Sequence, residues 1–324
     1  MNLLWRPMAE SDIPGWTALL AAAERVDEQG ENYSEDDLRE EWADPDLDAE
    51  RDSIAVLDGS VLVAYAIVHR RVTPEGKHRL PSQSVVHPDW RGRGIGAQLV
   101  DWITRRATEL HRAHRPDLPG EVNISCAEHN SALRALLDGA GYLPRRWFFE
   151  LKRSTEPDAE VSPQPLPEGL RLIPYDARHD EALRLAHNEA FRDHWGSTEV
   201  DLDGWKQWYT GASWFRPALS YLVLDGEEIA GYLLSKEFEA DAAVTGVREV
   251  WYDQIGVRRA WRGNRLATVM LLRALADSRD AGFTRAALSV DADNPTGALG
   301  IYQRCGFVLV SRQSVHARVL SVTD

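Results

Sequence analysis

Two short stretches of this chain carry residue types suited to holding an anion. Arg91-Gly92-Arg93-Gly94-Ile95-Gly96 follows an apolar run ending Val85-Val86, and Arg262-Gly263-Asn264-Arg265-Leu266-Ala267 follows Ile255-Gly256-Val257. Each sits where a strand gives way to an amphipathic helix. A helix N-terminus presents unpaired backbone N–H groups and about half a positive charge, and glycines let the backbone approach phosphate oxygens. The arginines add charge-assisted contacts, so pyrophosphate is the predicted guest. The pattern G-x-x-x-x-G-K-[ST] is absent, and the first loop reads G-x-G-x-G where a dinucleotide fold requires G-x-G-x-x-G. In the second loop Arg265 stands where the first has Gly94. An arginine there is expected to take the helical N-terminal conformation and reach phosphate with its side chain, so that this loop still binds with altered contacts.

The elements that must position these loops occur twice. Val56 to Tyr65, "VLDGSVLVAY", returns 167 residues later as "VLDGEEIAGY", each a strand, an Asp-Gly turn and a second strand. The loops themselves recur at an offset of 171 residues, so the whole order of elements is duplicated. Each half opens on a helix (Ile13 to Val26; Asp180 to Phe191), then a hairpin, an apolar strand, the loop and an amphipathic helix (Ala97 to Ala113; Ala267 to Ala281). A further strand, a second helix and a last strand pair (Arg146 to Leu151; Phe307 to Val319) complete it. The expected fold class is α+β, two tandem domains with mixed, mostly antiparallel sheets flanked by helices. Residues 1–153 and 169–324 are the two domains, joined by a proline-rich linker over 154–168.

The 324 residues carry a net charge of −14, which argues against nucleic acid and leaves room for a cationic small molecule. No apolar run is long enough to span a membrane and no signal peptide is evident, so a cytoplasmic protein is expected. The two cysteines, Cys126 and Cys305, supply neither a disulfide framework nor metal-ligand spacing. Both read as packing residues, and His111 and His114 as solvent-facing ones. No metal is expected. A monomer with pseudo-dimeric halves is the expected assembly.

"VVHPDWRGRGIGAQLV" and "IGVRRAWRGNRLATVML" resemble the acetyl-CoA-binding motif of the GNAT superfamily of N-acetyltransferases, [RQ]-x-x-G-x-[GA]. Arg91, Gly94 and Gly96 match it in full; Arg262 and Ala267 match it around Arg265. The resemblance implies acetyl-CoA as donor, a small-molecule amine as acceptor, and direct attack of the amine on the thioester. A non-catalytic acyl-CoA sensor and a protein N-terminal acetyltransferase are the competing classes. "NPTGALGIYQRCGF" resembles the later GNAT motif, in which the asparagine, here Asn294, contacts the pantetheine side and the tyrosine, here Tyr302, protonates the coenzyme thiolate. Asn294 and Pro295 read as the start of a helix, with Tyr302 roughly 12 Å along its axis and Gly306 beyond its end.

In the first half "HNSALRALLDGAGY" is one residue shorter, leaving Leu137 or Asp138 at the tyrosine position. The second half is therefore expected to be catalytic, and the first to hold coenzyme without catalysis. A general base is expected on "REVWYDQIGV", where alternation puts Glu249, Trp251 and Asp253 on one face. Asp253 is the first candidate and Glu249 the second; backbone N–H groups near Gly256 and Val257 are the expected oxyanion donors. The layout of the chain, with "NEAFRDHWG" and "ASWFRP", resembles the mycothiol synthase branch of tandem GNAT enzymes, which acetylate the cysteinyl amine of a glucosamine–inositol thiol precursor. That branch has a glutamate base where Trp251 stands here. Trp195 is expected to shape the acceptor pocket.

Overall fold

The computed structural model describes residues 3–44, 47–72, 76–157, 165–192, 194–195, 197–294 and 297–320. The elements of the first half are β1 (Leu4–Arg6), α1 (Ile13–Asp27), α2 (Glu35–Trp42), α3 (Ala49–Asp52), β2 (Ser53–Asp58), β3 (Val61–Val68), β4 (Arg71–Val72), β5 (His78–Val86), α4 (Ile95–His114), β6 (Gly120–Ala127), α5 (Ser131–Gly139) and β7 (Leu143–Ser154). Those of the second are β8 (Leu170–Pro174), α6 (Asp180–Ala190), α7 (Leu202–Trp205), β9 (Tyr221–Asp225), β10 (Glu228–Lys236), α8 (Glu239–Thr245), β11 (Glu249–Val257), α9 (Leu266–Asp280), β12 (Arg285–Asp291), α10 (Ala298–Arg304) and β13 (Val308–Leu320). No helix among the described residues is long and apolar enough to cross a membrane.

The chain divides into two compact units, Met1–Trp147 with Gln313–Asp324, and Phe148–Arg312. The first carries its strands in the order β1-β2-β3-β5-β6-β13, with β4 beside β5. All neighbours are antiparallel except β5 and β6. The second carries β8-β9-β10-β11-β12-β7, antiparallel except β11 and β12. The duplication read from the sequence is thus a duplication of topology.

The division differs from the expected boundaries. Residues 148–154 of β7 pair with β12 in the second unit, and residues 313–320 of β13 pair with β6 in the first. Each unit takes its closing strand from the other half of the sequence. Packing accounts for it: Leu151 and Phe149 join the core beneath α9 and α10, and Leu320 joins the core beneath α4. Of the expected linker, residues 158–164 lie outside the described residues.

In each unit helices cover both faces of the sheet, which is why the central strands read as continuous apolar runs. In the first, α4 offers Ile95, Leu99, Ile103, Ala107 and Leu110 at helical spacing to one face, while Trp16, Leu19 and Leu38 of α1 and α2 pack on the other with Tyr65 and Ile67. In the second, Met270, Ala274 and Tyr302 pack with Val250, Tyr252 and Leu288 on one face. Leu183 and Trp205 pack with Leu222, Leu224 and Tyr232 on the other. Each fully buried large side chain contributes about 1.5–3 kcal/mol. Cys126 and Cys305 are buried in these cores.

His111 is not the solvent-facing residue expected. It is fully buried on the inner face of α4, with Nδ1 3.1 Å from His78 Nδ1. Its ring lies over the start of β6, where a Cβ on Gly120 would stand 2.7 Å from three imidazole carbons. Gly120→Ala is therefore expected to destabilise the first unit by about 1–3 kcal/mol. Gly139→Ala, which meets nothing within 4 Å, should not. Paired urea titrations check this.

Candidate active site

The site begins where two parallel strands part. β11 pairs with β12 only through Glu249, Val250 and Trp251, yet stays paired with β10 as far as Val257. Beyond that point a cavity of about 800 Å³ opens in the second unit. Ile255, Gly256 and Val257 line it from β11, and Leu266, Ala267 and Thr268 from the first turn of α9. Trp261, Arg262, Gly263 and Arg265 line it from the loop, and Ala298, Ile301, Tyr302 and Arg304 from α10. Asn294 and Gly297 precede α10, and Ala190, Phe191 and His194 close the wall from α6 and the segment after it. Of the expected second-loop and strand positions, Asn264 alone is not in the lining; its side-chain amide donates to the Trp261 carbonyl at 3.1 Å.

Arg265 does not take the expected helical conformation. It is the N-cap of α9 at φ 60°, ψ 18°, in the left-handed region that Gly94 occupies at φ 81° as N-cap of α4. Glu28 is the other non-glycine residue at positive φ among the described residues. The left-handed region costs an L-residue about 1–2 kcal/mol. The duplicated turn has kept its shape after losing the glycine.

The leading arginines of the two loops are used differently. Arg91 forms a two-pronged ion pair with Asp27 at the end of α1, at 2.6 and 2.7 Å, and its Nε donates to the Val86 carbonyl. Arg262 makes the same strand contact, to Val257, but its terminal nitrogen donates to the Ala190 carbonyl at 3.1 Å. A carbonyl leaves the guanidinium charge uncompensated and a carboxylate cancels it. Arg93 packs over Trp90 at 4.7 Å and donates to the Asp89 carbonyl. Val85 and Val86 end β5, whose pairing with β6 stops at Ser82 while that with β3 runs to Val86, the same parting seen in the second unit.

Tyr302 is fixed by the way its helix ends. Gly306, at φ 83°, follows the C-cap; its N–H donates to the Gln303 carbonyl, and the Phe307 N–H to the Tyr302 carbonyl, each at 3.0 Å. Phe307 then packs edge-on to the Tyr302 ring at 6.4 Å. The ring is buried, and its hydroxyl makes no hydrogen bond among the described residues. Burial pushes this phenol up from its ordinary pKa, so it is protonated at neutral pH.

Asn294 is not the N-cap of this helix. α10 begins at Ala298, capped by Gly297 at φ 70°, so Tyr302 lies about 6 Å, not 12 Å, along the axis. Pro295 lies outside the described residues. In the first unit Asn130 does cap, accepting from the Leu133 N–H at 2.9 Å. There the matching end motif runs from the Tyr142 N–H to the Leu137 carbonyl and from Gly141 to Asp138. Leu137, fully buried, is therefore the structural counterpart of Tyr302.

Neither carboxylate on β11 lines the cavity. Tyr252 pairs with Ser235 and Gln254 with Leu234, so Asp253 is the extra residue of a β-bulge and the expected alternation breaks there. Its carboxylate pairs with Lys236 at 3.0 Å and accepts from Gln254 at 3.1 Å. Glu249 is buried, held by Lys152 at 3.0 Å and by Arg285. Six residues of strand, roughly 20 Å, separate it from Ile255. Trp195 packs on Phe148, outside the lining. Behind the wall, His187 bonds Tyr232 at 2.7 Å within a cluster of Phe191, Trp205 and Tyr209. Burial pushes its pKa down to about 4.

Sequence reasoning did not single out Phe191, His194, Thr268, Ile301 or Arg304. The segments "NEAFRDHWG" and "YQRCGF" held the signal for most of them, but nothing in their spacing says which side chains face a cavity.

The family model described as Acetyltransferase (GNAT) family matches residues 16–135 and again 181–307. A protein named mycothiol acetyltransferase from Parafrankia sp. (strain EAN1pec) is 29% identical over 326 residues, covering 94% of this chain and 95% of its own. One of the same name from Streptomyces scabiei (strain 87.22) is 31% identical over 254 residues, covering 77% and 74%. In fold, the chain is similar to a tandem GNAT protein from the clavulanic acid biosynthesis pathway, with TM-score 0.71, 18% identity and full coverage of both chains (100% each).

The strained N-cap yields a test. Arg265→Gly is expected to stabilise the second unit by about 1 kcal/mol, seen as a rise in its thermal midpoint.

Proposed function

Because the chain belongs to the acetyltransferase (GNAT) family, whose donor is an acyl-CoA, we propose that it transfers the acetyl group of acetyl-CoA to a primary amine of a small molecule. The observation that carries this reading is Tyr302: a buried phenol whose hydroxyl has no hydrogen-bond partner among the described residues, in the wall of the cavity that also receives the N-terminal turn of α9.

The residues fit the donor. The α9 N–H groups at Leu266 and Ala267, with Arg262, Gly263 and Arg265, suit the pyrophosphate. Asn294 and the free edge of β11 suit the amides of the pantetheine arm. Backbone N–H groups near Gly256 and Val257 serve the oxyanion. Tyr302 donates to the sulfur as the C–S bond breaks. Its proton is held at neutral pH, and the same burial raises the basicity of the departing thiolate, so the two remain matched.

The first unit is read as a coenzyme-holding copy without catalysis. Leu137 can donate no proton, and Arg91 spends its charge on Asp27. What remains there for an anion is the backbone of Gly94, Ile95 and Gly96, with Gly92 in the turn and Arg93 beside it. For the acceptor, the cysteinyl amine of a mycothiol precursor is the first compound to try, given the names of the two relatives. Trp251 in place of the glutamate of that branch is the reason to include other amines.

Tyr302→Phe is expected to lower acetyl transfer by about 10²–10⁴-fold while leaving acetyl-CoA affinity within about twofold; thiol release and calorimetry read the two. An unchanged rate would remove Tyr302 from the mechanism. Titration should find two coenzyme sites per chain. Arg91→Ala combined with Arg93→Ala should weaken one of them and spare turnover.

A further inference from the structure

We infer that His194 is the general base of this site, taking the proton that the β11 carboxylates were expected to take. The inference rests on the acetyl-transfer reading above.

The first ground is the composition of the wall. Among the described residues lining the cavity the ionisable side chains are His194, Tyr302, Arg262, Arg265 and Arg304, and none of these is a carboxylate. Arginines stay protonated and burial holds the proton on Tyr302, so among these described groups the His194 imidazole is the one whose chemistry includes accepting a proton. The second ground is what the carboxylates already do. Asp253 faces Lys236, and Glu249 faces Lys152 and Arg285. Both carboxylates are thus engaged by cations, and neither lines the cavity.

The third ground is position. His194 is held in the wall by its backbone N–H, which donates to the Phe191 carbonyl at 2.8 Å, and by contact with the Phe191 ring at 5.3 Å. The other histidine nearby, His187, is committed to Tyr232 and lies outside the lining. Among the described residues, the charged and titratable groups near His194 include His187 on α6, with Asp253 beyond it, and Arg262, Arg265, Arg304 and Tyr302 in the cavity.

The step balances. The amine lone pair forms the C–N bond to the thioester carbonyl carbon, the C–S bond breaks with its electron pair on sulfur, the nitrogen proton passes to His194, and Tyr302 supplies the proton to the thiolate.

The test compares wild type, His194→Gln and His194→Ala across pH with acetyl-CoA and a primary amine. Both variants should lose about 10²-fold in kcat and the rise in rate through neutral pH, with coenzyme affinity unchanged within about twofold. Added imidazole should restore part of the rate of His194→Ala. The inference is overturned if His194→Ala keeps both the rate and the pH dependence, or if the dependence survives there and vanishes in Asp253→Asn. A wild-type chain that releases no thiol with any amine overturns the acetyl-transfer reading and this inference together. A wild type that turns over beside an unaffected His194→Ala overturns the inference alone.

Discussion

A strand that leaves its neighbour exposes backbone N–H and C=O groups that must find other partners, since unpaired polar groups are costly away from water. In the second unit β11 does this after Trp251 while β10 holds it in place to Val257. The rest of the site depends on that parting. The loop and α9 continue from β11, so the helix N-terminus opens at the gap. β12 continues into Asn294 and α10, which carries Tyr302 to the same cavity. A guest with amide groups along an extended arm can pair with the free strand edge much as an added strand would. The bulge at Asp253 lies between the last β12 pair and the cavity, and shifts which residues face which side.

The two copies keep this frame and differ in what they hang on it. Both loops place a left-handed residue at the helix N-cap, and both short helices end in the same hydrogen-bonded glycine turn. Within that frame a leucine replaces a phenol, and an aspartate replaces a carbonyl as partner of the leading arginine. Neither change alters the backbone. The second copy carries strain at Arg265 that a glycine would relieve, and non-glycine residues held in this region gather at functional sites. The strained copy is also the one with the phenol, and the relaxed copy has its arginine neutralised.

The duplication, the order of elements and the hairpins were legible in the sequence because they rest on local patterns, namely apolar period, turn residues and repeat. The exchange of closing strands was not. "RRWFFELKRS" and "VLVSRQSVHARVL" have the same strand character whichever neighbour they pair with, and only the fit of Phe149, Leu151 and Leu320 into particular cores decides. In the second half every expected loop and strand-end position but Asn264 lines the cavity, since a motif fixes the backbone around it. The side chains were harder. Alternation failed at Asp253 because one bulged residue inverts the face of everything beyond it. The start of α10 was misjudged because Asn-Pro is a good helix opening, and Gly297 took the cap instead. His194 was hidden because it follows a helix, where no period says which way a side chain points.

The charge of the chain also needs reading at two scales. A net charge of −14 favours approach of cations at long range, but salt screens that field within about 8–10 Å. The described residues of the cavity wall have the opposite sign, with three arginines and no carboxylate among them. An anionic guest is therefore repelled by the chain as a whole at long range and attracted only once it comes within reach of that wall, so the approach and the binding of such a guest answer to opposite fields.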